Sequence, residues 1–179
     1  NLGLDLQGGS YLLLQVDFDQ VTRARTEGLV DDIRASFRKA HIPFTDLTSH
    51  NDTVSVRVTE PARADEARTL LQGINPNMNG SVLAVGGKEY ERTEPGGGVF
   101  SLRMTDAYKT LTRQQVMDQS IEVVRRRIDE LGTKEPTIER SGEERILVQV
   151  PGLQDPTQLK EILGKTAKMT FQLVDEQAN

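Results

Sequence analysis

Two stretches of the sequence share one pattern, and that pattern decides the fold. Residues 43–73 read PFTDLTSHNDTVSVRVTEPARADEARTLLQG, and residues 136–164 read PTIERSGEERILVQVPGLQDPTQLKEILG. Each stretch begins with a proline, continues through two extended runs around a polar turn, and reaches a second proline, Pro61 or Pro151. A short Leu-rich helix that a glycine ends then follows. The repetition indicates two similar α/β units.

A helix is predicted before each of these stretches. From about Asp19 to Ala40, apolar residues recur with near-helical spacing among charged ones, and Pro43 ends the pattern. The longest helix is predicted from about Asp106 to Leu131, with Gly132 as its C-terminal cap. Both helices are amphipathic, so each is expected to cover one face of a sheet.

Further extended runs lie outside the repeat. Tyr11 to Val16 is a nearly continuous apolar run, which predicts a central strand covered on both faces. Ser81 to Val85 is predicted to be extended, and so are the alternating runs from Phe100 to Met104 and from Met169 onward.

A charged stretch separates two of these runs. Gly86-Gly87 and Pro95 to Gly98 bracket it, and its composition offers little apolar surface to bury. Such a segment is expected to be a mobile loop that joins two strands.

The order β-α-β-β-α-β, with two helices on one face of an antiparallel sheet, is the split β-α-β or ferredoxin-like arrangement, so an α+β fold with two such units is predicted. The unit that contains residues 136–164 lacks an obvious first strand of its own. Either Phe100 to Met104 supplies it, or Leu12 to Val16 completes that unit and residues 18–104 form an inserted, permuted unit. Periodicity alone leaves both solutions open.

Composition excludes several function classes. The 179 residues carry 22 Lys and Arg against 27 Asp and Glu, which argues against a nucleic acid partner. There is no Cys, so His41 and His50 are the only soft metal ligands. No apolar run approaches the roughly 18 residues of a membrane span. Since the sequence starts at Asn1 without a signal peptide, a piece of a longer protein is expected.

The sequence motifs of nucleotide-binding, metal-binding and catalytic sites are incomplete. Residues 3–9, GLDLQGG, lack both the Gly-Lys-Ser/Thr of a phosphate loop and a preceding strand, so the glycines are interpreted as allowing a bulge or a positive φ at a strand entrance. Asp17 and Asp19 lack the Gly and distal Glu of a calcium loop. His41 and His50 have no evident third ligand. No catalytic signature is present, so we expect neither an enzyme nor a cofactor.

The run Arg125-Arg126-Arg127 has two readings. It could contact anionic groups. However, Glu122 lies four residues before Arg126, and Arg125 lies four residues before Asp129. This spacing favours a solvated, ion-paired helix face.

Three stretches together resemble the SecD family of protein-export subunits. They are residues 2–9 (LGLDLQGG) with residues 12–17 (LLLQVD), residues 125–132 (RRRIDELG) with Glu135-Pro136, and residues 145–152 (RILVQVPG). The residues that carry the family motif or a hinge are expected to be Gly3, Asp5, Gln7, Gly8, Gly9, Arg125, Arg126, Arg127, Gly132, Glu135, Pro136, Pro151 and Gly152.

The resemblance implies a location and partners. It places the chain just after a first transmembrane helix, on the periplasmic face of the bacterial inner membrane, in a multi-pass parent protein. Family members work with SecF beside the SecYEG channel and draw the unfolded precursor polypeptide outward with the proton gradient. Their proton-carrying groups are intramembrane and absent here.

The resemblance also favours one domain organisation. Residues 1–17 plus 105–179 would form a ferredoxin-like base, and residues 18–104 would form the inserted unit. A different function class, a small-molecule-sensing module of paired ferredoxin-like units, also fits the pattern.

Overall fold

Helices and strands alternate along the described part of the chain, which in this computed structural model comprises residues 9–75, 87–132, 135–153, 157–161, 163 and 171–174. The strands are β1 (Gly9–Val16), β2 (Phe44–His50), β3 (Thr53–Val58), β4 (Tyr90–Gly96), β5 (Val99–Met104), β6 (Thr137–Ser141), β7 (Arg145–Pro151) and β8 (Phe171–Val174). The α-helices are α1 (Phe18–Lys39), α2 (Ala64–Ile74) and α3 (Asp106–Asp129), and Pro61–Arg63 form a 3-10 turn before α2. Residues 157–161 and 163 are also helical.

The strands form two antiparallel sheets of four strands each, which confirms the predicted α+β class. The fold is consistent with two ferredoxin-like units. Contacts divide the chain into a first unit, Asn1–Phe18 with Arg113–Asn179, and a second unit, Asp19–Thr112. None of the described helices combines the length and the apolar character needed to cross a membrane.

The first unit contains the sheet β6-β7-β1-β8. The central strand β1 pairs with β7 from Gly9 opposite Pro151 to Gln15 opposite Arg145. Leu12 and Leu14 are buried on one face and Leu13 on the other, so the prediction of a central strand covered on both faces is confirmed. Other buried apolar residues of this unit are Val16, Val116, Met117, Val124, Ile128, Ile146, Val148, Val150, Leu159 and Leu163.

The second unit contains the sheet β2-β3-β5-β4. Its core joins alternate side chains of β3 and β5 to the apolar stripes of α1 and α2. The fully buried members include Ile33, Phe37, Ala67, Leu71, Val54, Val56, Phe100, Leu102 and Met104. The phenylalanines Phe37 and Phe44 meet edge to face at 5.8 Å between ring centroids. This core is separate in sequence from the buried residues of the first unit.

Two expectations are wrong. The charged stretch before Pro95 is not a mobile loop but strand β4, which pairs with β5 at one edge of its sheet. An edge strand tolerates charges and a proline because one side of it faces solvent. The solution in which Phe100 to Met104 joins the first unit is also wrong, because β5 lies between β3 and β4.

Other predicted elements agree within a few residues. Both hairpins, the long helices and the helix after Pro61 are present. Helix α3 ends at Asp129, two residues before the predicted end, and Gly132 follows with a φ of +70°. The extended segment from Ser81 to Val85 and the helix-ending Gly164 lie outside the described residues.

Candidate functional site

Three of the motif stretches that the sequence singled out reach one end of the first sheet. Gly9, the first residue of β1, pairs with Pro151, the last residue of β7. Because β6 runs antiparallel to β7, its first residues after Glu135 and Pro136 reach the same end. We call the set Gly9, Glu135, Pro136, Pro151 and Gly152 the motif end. The sequence alone gave no distance between these three stretches.

The backbone of the motif end is unusual. Gly152 has a φ of +82°, and Glu135 has a φ of +60°, a value that a residue with a side chain adopts at an energetic cost. The cost is larger here, since a residue before proline normally adopts an extended conformation. Strained residues of this kind often lie at functional positions. The sequence did not predict the positive φ of Glu135, because a residue before proline is expected to have an extended backbone.

The three arginines lie on the last turns of α3, close in sequence to the motif end. Arg125, Arg126 and Arg127 are all exposed, whereas Ile128 beside them is buried. Cations at this position interact favourably with the negative end of the helix dipole. The arginine run is therefore a solvated cationic face.

The ion pairs predicted for this face are wrong in detail. Among the described residues, Arg127 pairs with Glu130 at 3.5 Å between Nη1 and Oε2. The pairs of Glu122 with Arg126 and of Arg125 with Asp129 do not come within ion-pair distance in that set. Exposed pairs of this kind contribute little to stability, and Arg125 and Arg126 are themselves exposed.

Part of the predicted motif cannot be placed. Gly3, Asp5, Gln7 and Gly8 lie outside the described residues, so the structure locates only Gly9 of this group. Its partner Pro151 lies on the neighbouring strand β7.

The histidines and acidic residues considered as metal ligands do not form a site. His41 precedes β2 and His50 ends it, so the length of the strand, about 20 Å at 3.3 Å per residue, separates them. In the part of the chain that the structure describes, no three His, Asp or Glu side chains lie close enough to hold a metal ion.

A cluster of ionisable side chains lines a small cavity of about 270 Å³ in the second unit. Arg25 donates to the Tyr108 hydroxyl at 2.5 Å, and Tyr108 meets Tyr90 edge to face. Burial raises the pKa of Glu89 above its usual value, and the nearby Arg25 partly offsets this. Burial likewise raises the pKa of Tyr90. No nucleophile paired with a base lines this cavity, so we interpret the cluster as packing.

A larger cleft of about 490 Å³ lies beside α2 and β4. Three of its polar side chains form hydrogen bonds within the chain. Asn75 bonds the Tyr90 backbone, Lys88 donates to the Asn75 carbonyl at 3.3 Å, and Arg92 donates to the Arg68 carbonyl at 3.3 Å. A ligand site needs a few convergent free polar groups, which this arrangement does not offer.

Comparison with known proteins gives the same assignment at both ends of the chain. Residues 1–19 match the family described as SecD/SecF GG Motif. Residues 117–176 match the family described as Protein translocase subunit SecDF, P1 domain, N-terminal. These ranges include all three stretches that meet at the motif end.

Curated relatives match the whole chain. A protein named Protein translocase subunit SecD from Rickettsia conorii is 39% identical over 179 residues, 100% of this chain. Proteins of the same name from Rickettsia prowazekii and Acetobacter pasteurianus are each 40% identical over 100% and 98% of this chain. The chain spans about a third of the length of these relatives, 32% in each case.

Proposed function

Because this chain belongs to the SecD family, we propose that it is part of an accessory subunit of the Sec translocon that assists protein export. The observation that carries the proposal is the match at both ends, to the GG motif and to the P1 domain, together with the pairing of Gly9 with Pro151 that joins those two regions. We propose no chemical reaction for the chain. Its role is mechanical.

The parent protein would act at the periplasmic face of the bacterial inner membrane, with SecF and the SecYEG channel as partners. The unfolded precursor polypeptide would be its substrate, and the proton gradient would supply the energy. The support is the family itself, since the curated relatives carry the name translocase subunit.

The sheet geometry supports a lever. Strand β1 is held on both sides, by β7 through seven residue pairs and by β8 through four. A displacement of the chain before Gly9 would therefore move the entire first sheet rather than separate β1 from its neighbouring strands. In this proposal a hinge lies near Gly8-Gly9, and motion about it displaces a bound precursor.

The two sheets support the domain organisation. In the proposal, residues 1–17 plus 105–179 form the base, and residues 18–104 form an inserted, permuted unit. The insertion would add a second surface without breaking the base, since β1 and β8 both pair within the first sheet.

The test of precursor contact uses the full-length protein in cells. Photoreactive side chains are placed at exposed positions of both units, and a precursor is arrested during export. Crosslinks from one or more positions are expected. Their absence at every position would contradict direct contact with the precursor.

The hinge is tested by the export rate. Replacing Gly8→Pro restricts φ at the proposed hinge and is expected to slow export. Gly28→Ala, in the middle of α1 where a Cβ meets open space, is the matched control and should leave the rate unchanged. Equal export rates for both variants would count against the hinge.

A further inference from the structure

Sheet edges are the places where this molecule can bind another extended chain. An edge strand presents N–H and C=O groups on one side that no neighbouring strand satisfies, and such groups accept an added strand. For three edge strands the structure describes the residues on both sides of the strand in the sequence. These strands are β2 and β4 in the second unit and β6 in the first. They differ sharply in how open they are.

The β4 edge is covered by side chains of α2 and of Asn75, the residue that follows it. The Asn75 amide donates to the Tyr90 carbonyl at 2.7 Å, and the Tyr90 N–H donates to Asn75 Oδ1 at 3.0 Å. The Asn75 side chain thus replaces one residue of a neighbouring strand. Further along, Arg68 forms an ion pair with Glu94 at 2.7 Å, and Pro95 has no N–H to donate.

The β2 edge is irregular. Its register with β3 shifts between Thr45 and Thr48, so an extra residue bulges out. Asp46 within the bulge has a φ of +54°, a left-handed conformation that turns its peptide groups out of the ladder. An incoming strand would find only short regular pieces on either side.

The β6 edge is regular. All five residues from Thr137 to Ser141 pair with β7 in unbroken register. Arg140 is held by the Asp118 side chain of α3, so its guanidinium is tied to the helix that precedes β6. Among the edges compared, β6 is the one that combines an unbroken ladder with an outer side to which no described residue is hydrogen-bonded.

We propose that the β6 edge binds an extended segment of an unfolded polypeptide as an added strand. This inference rests on the proposed function and names the contact surface for the precursor. Recognition through backbone groups tolerates many sequences, as an export factor requires.

The length of β6 suits release as well as binding. Five residues offer two or three outward-facing N–H groups, and each backbone hydrogen bond contributes only about 0.5–1.5 kcal/mol net. Binding is therefore weak enough to reverse.

The test measures amide hydrogen exchange of the 179-residue chain, with and without a reduced and carboxymethylated polypeptide that stays unfolded in buffer. We expect exchange of alternate β6 amides to slow several-fold at saturating polypeptide, with β2 and β4 amides unchanged. Binding that protects β2 or β4 instead would overturn the β6 assignment and leave the proposed precursor contact standing. No binding at all would contradict both.

A second measurement is independent of exchange rates. A photoreactive label is attached to Glu139→Cys on β6, with Glu91→Cys on β4 and Ser49→Cys on β2 as matched controls, all three at exposed positions. The β6 label is expected to give several-fold more adduct with the unfolded polypeptide than either control. Equal yields from the three positions would refute the assignment.

Discussion

His41, two residues after the end of helix α1, has a left-handed conformation with a φ of +57°. The Ile42 N–H donates to the Phe37 carbonyl at 2.9 Å, and the His41 N–H donates to the Arg38 carbonyl at 3.2 Å. This is the Schellman motif, in which glycine is the usual residue at the left-handed position. The two apolar residues of the motif, Phe37 and Ile42, are both buried. His41 therefore has a backbone role at the C-terminal cap of α1.

The backbone cost at His41 predicts the effect of substitution. His41→Gly removes the side-chain clash of the left-handed conformation and is expected to raise the free energy of unfolding by about 1 kcal/mol. His41→Val should lower it, since a β-branched residue tolerates positive φ least. Urea denaturation measures both changes. A loss of stability in the glycine variant would contradict the cap.

Asp52 and Lys109 form a half-buried ion pair, with 2.6 Å between Oδ2 and Nζ. The hydrogen bond from Lys109 holds the pKa of Asp52 below its usual value of 3.8, with a smaller contribution from Thr53 and an opposing one from burial. A lowered pKa in the folded state means that this stabilisation is complete above pH 3.8 and is lost as the pH falls through the lowered value.

Substitution should therefore remove a pH-dependent contribution. Asp52→Asn is expected to lower stability at neutral pH by roughly 1 kcal/mol or less, because water screens the partly exposed pair. Well below the pKa, the variant and the parent should be equally stable. Asp31→Asn, which breaks a more exposed pair with Arg34, is the control with little effect. Unfolding curves at several pH values measure the difference in the free energy of unfolding between Asp52→Asn and the parent. A difference that stays constant with pH would contradict a contribution from the ionised Asp52 carboxylate.

At the scale of elements, the hairpin of β4 and β5 shows what the sequence can and cannot predict. Gly96 pairs with Val99, so Gly97-Gly98 is a two-residue turn, and both glycines have positive φ. A Gly-Gly pair between two strands is a known hairpin signal. Despite this signal, the charged composition of residues 88–95 led to the prediction of a mobile loop. Composition cannot distinguish a solvated loop from a solvated edge strand. Tyr90 at the start of β4 is buried, and its N–H donates to the side chain of Asn75, 15 residues earlier. Hydrophobic periodicity does not reveal a contact of this kind.

The two glycines of this turn should differ in their tolerance of a side chain. A Cβ at Gly98 would overlap the carbonyl oxygen of Val58, whereas a Cβ at Gly97 would meet open space. Gly97→Ala is expected to cost about 1 kcal/mol, the penalty of the left-handed conformation. Gly98→Ala should cost about 3 kcal/mol, since overlap is added to that penalty. Chemical denaturation compares them, and equal losses would show that the approach of Val58 is unimportant.

At the scale of the whole molecule, the sequence could predict the repeat because each unit places prolines and glycines at equivalent positions. It could not predict the strand order, since pairing between β1 and β7 joins residues at least 130 positions apart. The same separation explains why the motif end emerged only from the structure: Gly9 and Pro151 are neighbours through register alone.

The molecule has a separate hydrophobic core in each unit, which predicts separate responses to the same substitution. Ile33 in the second unit and Ile146 in the first are both fully buried. Ile→Val at either position should cost about 1 kcal/mol, which corresponds to about fivefold faster exchange of amides that open with that unit.

Native-state hydrogen exchange resolves the two responses. Ile33→Val is expected to speed exchange in β3 and β5 and to leave β1 and β7 unchanged, and Ile146→Val is expected to do the reverse. If both variants accelerated exchange in both sheets equally, the units would unfold as one. A lever that moves the first sheet requires that sheet to keep its own stability. Independent exchange would therefore also support the mechanical role, because local opening of the second unit would not weaken β1.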